Sequence, residues 1–309
     1  VAEPEGLAVR ELTDDDVPAV VRLCASALDL PEDAAEAAEI VLRLRERAAR
    51  HRTVGLVAGD PDGAVRGVVL GSIGQRGPGV GHVDLFAVHP DARRRGIARA
   101  LLTRAEAGLA GLGATEVRIA GNAPYYAWPG VDVRYTAAVC AATALGYTHD
   151  QTAWNMTASL VPGSAALRGT ATAERRLAGR GITVRPATRD DVPRLSAFAE
   201  RHFGGDWPGE VTDSIGRDRA GCHLAEHDGE ILGFASYGSS RPGWFGPMGT
   251  APAAEGLGIG GVLLRRCLAD QYAHGHRRVE IGWVGPVPFY SGAAGARIER
   301  VFFLYRKRL

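Results

Sequence analysis

The stretch Arg93-Arg94-Arg95-Gly96-Ile97-Ala98-Arg99 joins cationic side chains, a glycine and the start of a leucine-rich amphipathic segment. Directly before it, His82-Val-Asp-Leu-Phe86-Ala87-Val88-His-Pro is apolar enough to form a buried strand. A strand that runs into such a turn and then into a helix makes an anion site. The first amides of a helix have no carbonyl partner within it, and the helix dipole favours negative charge there. Gly96 lets a phosphate approach the backbone, while Arg93, Arg94, Arg95 and Arg99 supply donors suited to phosphate. The chemistry on offer is capture of a diphosphate-bearing ligand, and the alternative is a solvated basic turn that binds nothing.

A related segment recurs downstream as Met248-Gly-Thr250-Ala-Pro-Ala-Ala-Glu255-Gly256-Leu-Gly258-Ile-Gly260-Gly-Val-Leu-Leu. Its glycines still permit close backbone approach, but the arginines are gone and Glu255 repels phosphate, so weaker or different binding is expected. The same residues spell Gly256-x-Gly258-x-x-Gly261, a dinucleotide fingerprint, with Glu280 about twenty residues further on. A nicotinamide site is rejected because Ala251–Glu255 is not the apolar, β-branched strand that should lead into those glycines.

These loops sit inside a longer repeat. Residues 9–18 (VRELTDDDVP) and 184–193 (VRPATRDDVP) agree at seven of ten positions. Each copy reads as a short strand, a threonine N-cap at Thr13 or Thr188, and a helix with acidic residues in its first turn. Later signals follow in the same order: a turn at Asp62-Gly63 or Asp228-Gly229, an apolar strand, the glycine loop, a leucine-rich helix and another strand. The period is too long for a solenoid. Two homologous domains are expected, over 1–160 and 182–309, with 161–181 as an Ala-, Gly-, Arg- and Thr-rich linker holding a single helical turn.

In the first domain the pattern predicts strands near 7–12, 52–58, 65–73, 81–88 and 115–120, and helices near 14–28, 33–50, 96–111 and 134–145, with closing strands to 160. The second repeats the scheme, its glycine-led helix near 258–274.

A chain of 309 residues, 46% hydrophobic and 23% charged, is long enough for two such domains, each burying its own core. A net charge of +1 gives no basic excess for nucleic acid, and no partner of that kind is expected. No apolar run is long enough to span a membrane, and Val1-Ala-Glu-Pro-Glu5 lacks signal-peptide regions, so a soluble cytoplasmic protein is expected. Cys24, Cys140, Cys222 and Cys267 are scattered singly, each expected as a buried free thiol. The close pair His274-x-His276 lacks the spacing of a helical metal site, and no metal is expected.

The loop and its setting resemble the GNAT acyltransferase superfamily, whose acyl-CoA loop reads Gln/Arg-x-x-Gly-x-Gly/Ala. Arg93-x-x-Gly96-x-Ala98 fits it, and Glu255-x-x-Gly258-x-Gly260 departs from it at the first position. The resemblance covers about 7–160 and 182–309. It implies an α/β (α+β) class: two GNAT folds in tandem, each a mixed, mostly antiparallel sheet of about seven strands with flanking helices. Phe86-Ala87-Val88 is then similar to the family's fourth strand, whose exposed backbone holds the pantetheine arm. The cofactor implied is acetyl-CoA in the first domain, with room for a second acyl-CoA in the other.

Acyl transfer from a thioester needs a neutral nucleophile, polarisation of the oxyanion and an acid for the departing thiolate. The family's frequent acid is a tyrosine in a Phe-Tyr pair ahead of a glycine, matched here by Phe289-Tyr290 and Gly295, one residue further apart than usual. Tyr290 is the candidate acid of the second domain, or else a tyrosine packing with its hydroxyl at the surface. In the first domain Ala142 falls about where that tyrosine would be. In the loop before the helix of Ala142, Tyr125, Tyr126 and Trp128 either wall a substrate pocket or else cap the core or face the other domain, and Trp283 either shapes a pocket or packs in the core. Asn122 is either a partner for a pantetheine amide or a turn residue. Any of His82, His89, His223 and His227 is near enough to the central strands to act as a base through water.

The resulting expectation is an acyl-CoA-dependent N-acyltransferase acting on the amine of a small molecule, as a monomer or homodimer. Its rival is a non-catalytic acyl-CoA sensor, which would bind acetyl-CoA without turning it over.

Overall fold

The computed structural model describes residues 7–48, 52–74, 77 and 79–309. The reading of Val1–Glu5 and the last residues of the helix expected to reach 50 lie outside them. The chain forms two compact units, one of residues 1–153 with 302–309 and one of 154–301.

The first unit contains β1 (Ala8–Glu11), α1 (Val17–Ala27), α2 (Pro31–Ala34), α3 (Ala37–Ala48), β2 (Thr53–Gly59), β3 (Val65–Ile73), β4 (Val80–Val88), α4 (Ile97–Gly111), β5 (Glu116–Ile119), β6 (Val131–Asp132) and α5 (Thr136–Ala144). β7 (Thr148–Ser159) starts in it and ends in the second unit. The second unit continues with α6 (Ala171–Ala178), β8 (Thr183–Pro186), α7 (Val192–His202), α8 (Trp207–Gly216), β9 (Gly221–His227), β10 (Glu230–Tyr237), β11 (Trp244–Thr250), α9 (Ile259–Ala273), β12 (Arg278–Ile281) and α10 (Val287–Ala294). β13 (Arg297–Arg308) begins there and ends in the first unit.

The pairing in each unit is mixed and mostly antiparallel, as expected: β4 with β5 and β11 with β12 are parallel, and the flanking pairs are antiparallel. The boundaries differ from those read in the sequence. Tyr305–Arg308 pair with Ile119–Glu116 of β5, which puts residues 302–309 in the first unit, and Met156–Ser159 pair with β12 in the second. Residues 161–181 are more than a linker, since they carry α6 and bury Ala166 and Leu177 in the second unit's core. The helix expected over 33–50 is two, α2 and α3.

The repeated decapeptide has a physical purpose. In each copy the threonine amide donates to an aspartate three residues on, Thr13 to Asp16 and Thr188 to Asp191, both at 2.9 Å. Arg10 and Arg185 grip those same carboxylates with two bonds each, at 2.7 Å for the first and 2.7 and 2.8 Å for the second. The guanidinium, together with these hydrogen bonds, holds both aspartates well below the usual carboxylate range.

In the first unit β4 alternates buried and half-buried residues along its length, the mark of a strand with one face on a core. α4 lays Ile97, Leu101, Leu102 and Leu109 on the sheet. Gly67 of β3 permits that approach, because a Cβ there would lie 2.7 Å from Ile97 Cγ2 and 2.9 Å from Leu101 Cδ1. On the sheet's other side α1 and α3 pack against Val57, Val68, Leu85 and Ala87. Among the described residues no helix is long and apolar enough to cross a membrane.

Candidate functional site

β4 and β5 run parallel only at their beginnings, where Val80, Gly81 and His82 face Glu116, Val117 and Arg118. Beyond that point they part. A cleft of about 680 Å³ opens between them, walled by Val83–Val88 of β4 and by Ile119 and Ala120 of the other edge. His82 stands at the fork, its Nδ1 3.1 Å from the Ala120 carbonyl oxygen. Strand edges separated in this way leave backbone amides and carbonyls available to a ligand.

The cleft draws on both sides of the sheet. From the α4 side come Gly96, Ile97, Ala98 and the small-residue face of α5; from the α1 side come Ala27, Leu28, Trp128 and Tyr135. At its mouth the arginine turn takes the shape an anion site needs. Gly96 caps α4 in the left-handed conformation, φ 82°, and a Cβ there would have nothing within 4 Å. The first intrahelical bond is from the Ala100 amide to the Gly96 carbonyl, so the amides of 97–99 precede the ladder. Arg94, Arg95 and Arg99 are exposed. Phe86, Ala87, Val88, Arg93, Arg94, Gly96, Ile97, Ala98 and Arg99 all border the cleft, whereas Arg95 does not.

Arg93 is committed elsewhere. Its guanidinium donates to the Ala27 carbonyl at 2.9 Å, to Asp29 at 3.0 Å and to the Val88 carbonyl at 3.4 Å, tying the turn to the end of α1. Asn122 lies outside the cleft lining and is buried, its side-chain amide donating to Ser72 Oγ at 2.8 Å and to the Ile73 carbonyl at 3.3 Å. Its side-chain N–H groups are thus engaged by β3. Of the three aromatics in the loop after β5, Trp128 borders the cleft. Tyr125 instead lies under the Arg43 guanidinium, 5.0 Å from ring centre to Cζ, and Tyr126 packs beside Gly121.

Two residues not singled out in the sequence border the cleft. Asp84 borders the cleft from β4 and accepts from Ser72 Oγ at 2.6 Å. Tyr135 borders it too, and its hydroxyl, like Trp128 Nε1, donates to buried Asp33. Asp84, half-buried, was visible in the sequence as a charged residue within a largely apolar strand. α5 turns Ala137, Ala138, Cys140, Ala141 and Ala144 toward the cleft, while Ala142 is fully buried in the core. Cys140 is therefore exposed, unlike the buried Cys24, Cys222 and Cys267.

The second unit repeats the backbone with other side chains. Gly258 caps α9 at φ 87°, matching Gly96, and Gly256 at φ 77° holds the left-handed place that Arg94 takes at φ 66°. Gly260 is half-buried: a Cβ there would make ordinary contact with Met248 Cε at 3.4 Å and Phe289 Cζ at 3.5 Å, so these side chains lie over the first turn of α9. Thr250 ends β11 opposite Gly233. Glu280 faces Asn155 at 2.5 Å and Arg300 at 3.6 Å, and so is engaged within the unit rather than held out for a ribose.

Tyr290 is buried with its ring edge-on to Phe245 and Phe289, 6.1 and 5.0 Å between centres. Burial pushes its hydroxyl well above the ordinary tyrosine range, so it stays protonated. Trp283 is an exposed tryptophan at φ 46°, its amide donating to Asn155 Oδ1 at 2.7 Å. The other three candidate bases have neighbours of their own: His89 Nδ1 accepts from the Asp91 amide, His223 Nε2 lies 2.7 Å from Asp270 and His227 Nδ1 lies 3.5 Å from Asp228. Among the described residues no three His, Cys, Asp or Glu side chains group as metal ligands.

Residues 21–126 and 187–287 each match the acetyltransferase (GNAT) family. A mycothiol acetyltransferase of Frankia casuarinae is 30% identical over 202 residues, which are 57% of this chain and 53% of that protein; the chain thus spans about half the length of this relative. A fungal structure described as a GCN5-related glucosamine N-acetyltransferase region of a multi-domain β-N-acetylglucosaminidase superposes with a TM-score of 0.79. It is 18% identical, and the match covers 99% of this chain and 38% of the fungal one. A tandem GNAT protein from the clavulanic acid biosynthesis pathway superposes with a TM-score of 0.70 at 20% identity, over 98% of both chains. At such identities the structural likeness speaks for the fold, whereas the two sequence matches span most of the chain: it belongs to the GNAT family of acetyltransferases.

Proposed function

We propose that this protein is an acyl-CoA-dependent N-acyltransferase that moves an acetyl or other acyl group from CoA to the amine of a small molecule, with the cofactor held in the first unit. The observation that carries this reading is the cleft that passes between β4 and β5, with a glycine-capped helix start and exposed arginines at one end and a carboxylate, Asp84, on its wall.

The residues suit the cofactor. The amides at the start of α4, with Arg94 and Arg99, would hold its diphosphate, and the parted edge of β4 would receive its pantetheine amides. Bound there, acyl-CoA supplies an activated thioester. Asp84 would take a proton from the incoming ammonium, which would free the amine nitrogen to displace the thiol from the acyl carbon directly, its second proton going to the departing sulfur, so that no acyl-enzyme is needed. The second unit, with Glu255 in place of Arg93 and with Phe289 and Met248 against Gly260, holds acyl-CoA more weakly.

A second reading puts the chemistry in the second unit, with Tyr290 as the acid for the thiolate. Its favouring observation is the buried, protonated hydroxyl on the helix that follows β12. A regulatory protein that binds acyl-CoA without turnover is the remaining alternative.

Native mass spectrometry during acetyl-CoA titration, coupled to release of CoA thiol in the presence of primary amines, tests the proposal. Glucosamine is the first amine to try. One acetyl-CoA retained per chain, lost in Gly96→Glu, and thiol release that depends on the amine are expected. Retention without amine-dependent release would leave a sensor, and no retention at any concentration would sink the cofactor assignment.

A further inference from the structure

On the α1 side the cleft is walled by two rings whose polar atoms point away from it. Trp128 Nε1 donates to Asp33 Oδ2 at 3.0 Å, and the Tyr135 hydroxyl donates to the same oxygen at 2.9 Å. Asp33 is fully buried at 0% exposure on the short helix α2, while Trp128 and Tyr135 belong to the chain between β5 and α5. A carboxylate taken out of water is costly unless donors fill its lone pairs, so this grip is held firmly. With N–H and O–H both committed to Asp33, what the rings offer the cleft is carbon.

Leu28 extends the same apolar wall, and Asp84 stands on the wall contributed by β4. Asp84 is oriented in its turn, because Ser72 donates to it at 2.6 Å and receives the Asn122 amide at 2.8 Å. A flat apolar wall in the same cleft as an oriented carboxylate complements a compact ring that bears a primary ammonium. An acyl chain would gain from the rings and nothing from the carboxylate.

We infer that Asp33 is a positioning residue for the acceptor: it fixes Trp128 and Tyr135 as the wall on which a ring-bearing primary amine seats, with its nitrogen turned toward Asp84. This rests on the N-acyltransferase reading and assigns acceptor binding to the unit that holds the cofactor. The sequence shows Asp33 only as one acid among several in 32–39, and nothing there marks it as the shared partner of two residues about a hundred positions away.

The test uses the full chain with acetyl-CoA and three amines, glucosamine, cyclohexylamine and methylamine, following release of CoA thiol. The ring-bearing amines should show the lower KM. Asp33→Leu and Tyr135→Phe should each raise the KM of the better ring-bearing amine about tenfold while the KM for acetyl-CoA stays within about twofold, as for a lost bond to a buried charge. Asp33→Asn, which keeps an accepting oxygen, should restore most of the affinity, a rescue that a purely structural role would not produce selectively in the amine KM. Tyr135→Phe retains the ring and serves where Asp33→Leu does not fold. Turnover intact with an unmoved amine KM in Tyr135→Phe would overturn the inference and leave acyl transfer standing. A changed preference between acetyl-CoA and butyryl-CoA with an unmoved amine KM would give the wall to the acyl chain, which overturns it as well. No turnover of any amine would overturn the acyl-transfer reading and this inference together.

Discussion

One nitrogen of Arg93 donates both to the Ala27 carbonyl oxygen, at 2.9 Å, and to the Asp29 carboxylate, at 3.0 Å. The first residue of the turn is therefore a strut to the end of α1, and in the function proposed above the exposed Arg94 and Arg99 are the side chains that meet the anion. Arg93→Ala should weaken acetyl-CoA binding about tenfold by loosening the turn, since a backbone carbonyl loses its donor. Asp29→Asn should cost less than about fivefold, because a half-exposed pair contributes only about 0–1 kcal/mol. Isothermal titration calorimetry would separate them, and equal losses would show that the ion pair rather than the backbone bond holds the turn.

Cys140 offers a readout that needs no acceptor. It is the exposed thiol and borders the cleft, whereas Cys24 and Cys222 are buried and pushed up to about 12, and Cys267 is raised well above the usual range by burial. Since the thiolate is what reacts, N-ethylmaleimide at neutral pH should label Cys140 alone, and saturating acetyl-CoA should slow that labelling several-fold. Peptide mass mapping would show it, and labelling at an unchanged rate would place the cofactor elsewhere.

Glu210 makes stability depend on pH. It is buried on α8, and desolvation, aided by Asp206 and Asp213, pushes its carboxyl up to about 8. A carboxyl raised in the folded state binds more protons there than in the unfolded chain, so stability falls as pH rises from the ordinary glutamate range through about 8. Melting temperatures between pH 5 and 9 should decline, and Glu210→Gln should flatten that decline and stabilise the protein at the alkaline end. Parallel curves for both proteins would remove Glu210 as the cause.

Tyr290→Phe distinguishes the two placements of the chemistry. With turnover in the first unit, the variant should keep its rate within about twofold, because phenylalanine preserves the packing on Phe245 and Phe289. A fall of about a hundredfold with cofactor binding unchanged, the effect of losing a general acid, would move the chemistry to the second unit.

What the sequence made legible was local. The capping residues Thr13 and Thr188, the apolar run of β4 and the glycine before α4 act over a few positions, and each was read from its own neighbours. Contacts between distant segments were not readable. Asn122 turned inward to Ser72, fifty residues away, because only the fold brings β3 beneath it. Arg93 looked like a free cation until Asp29 came alongside, and α6 looked like linker because its buried face, with Leu177, is short. Phe289 showed as the partner of Tyr290 in sequence; that it lies over Gly260 depends on how α10 meets α9.

The pairing of Tyr305–Arg308 with β5 also sets a clock. During synthesis β5 leaves the ribosome long before the strand that will complete its edge, a wait on the order of ten seconds or more at ordinary elongation rates. The sheet that contains the cleft stays unfinished for that whole interval, so the nascent first half waits for Tyr305–Arg308 before it is whole. A gene divided between the two repeats would separate that strand from the unit it finishes, and loss of the codons for Tyr305–Arg308 would be felt in the sheet that holds the cleft.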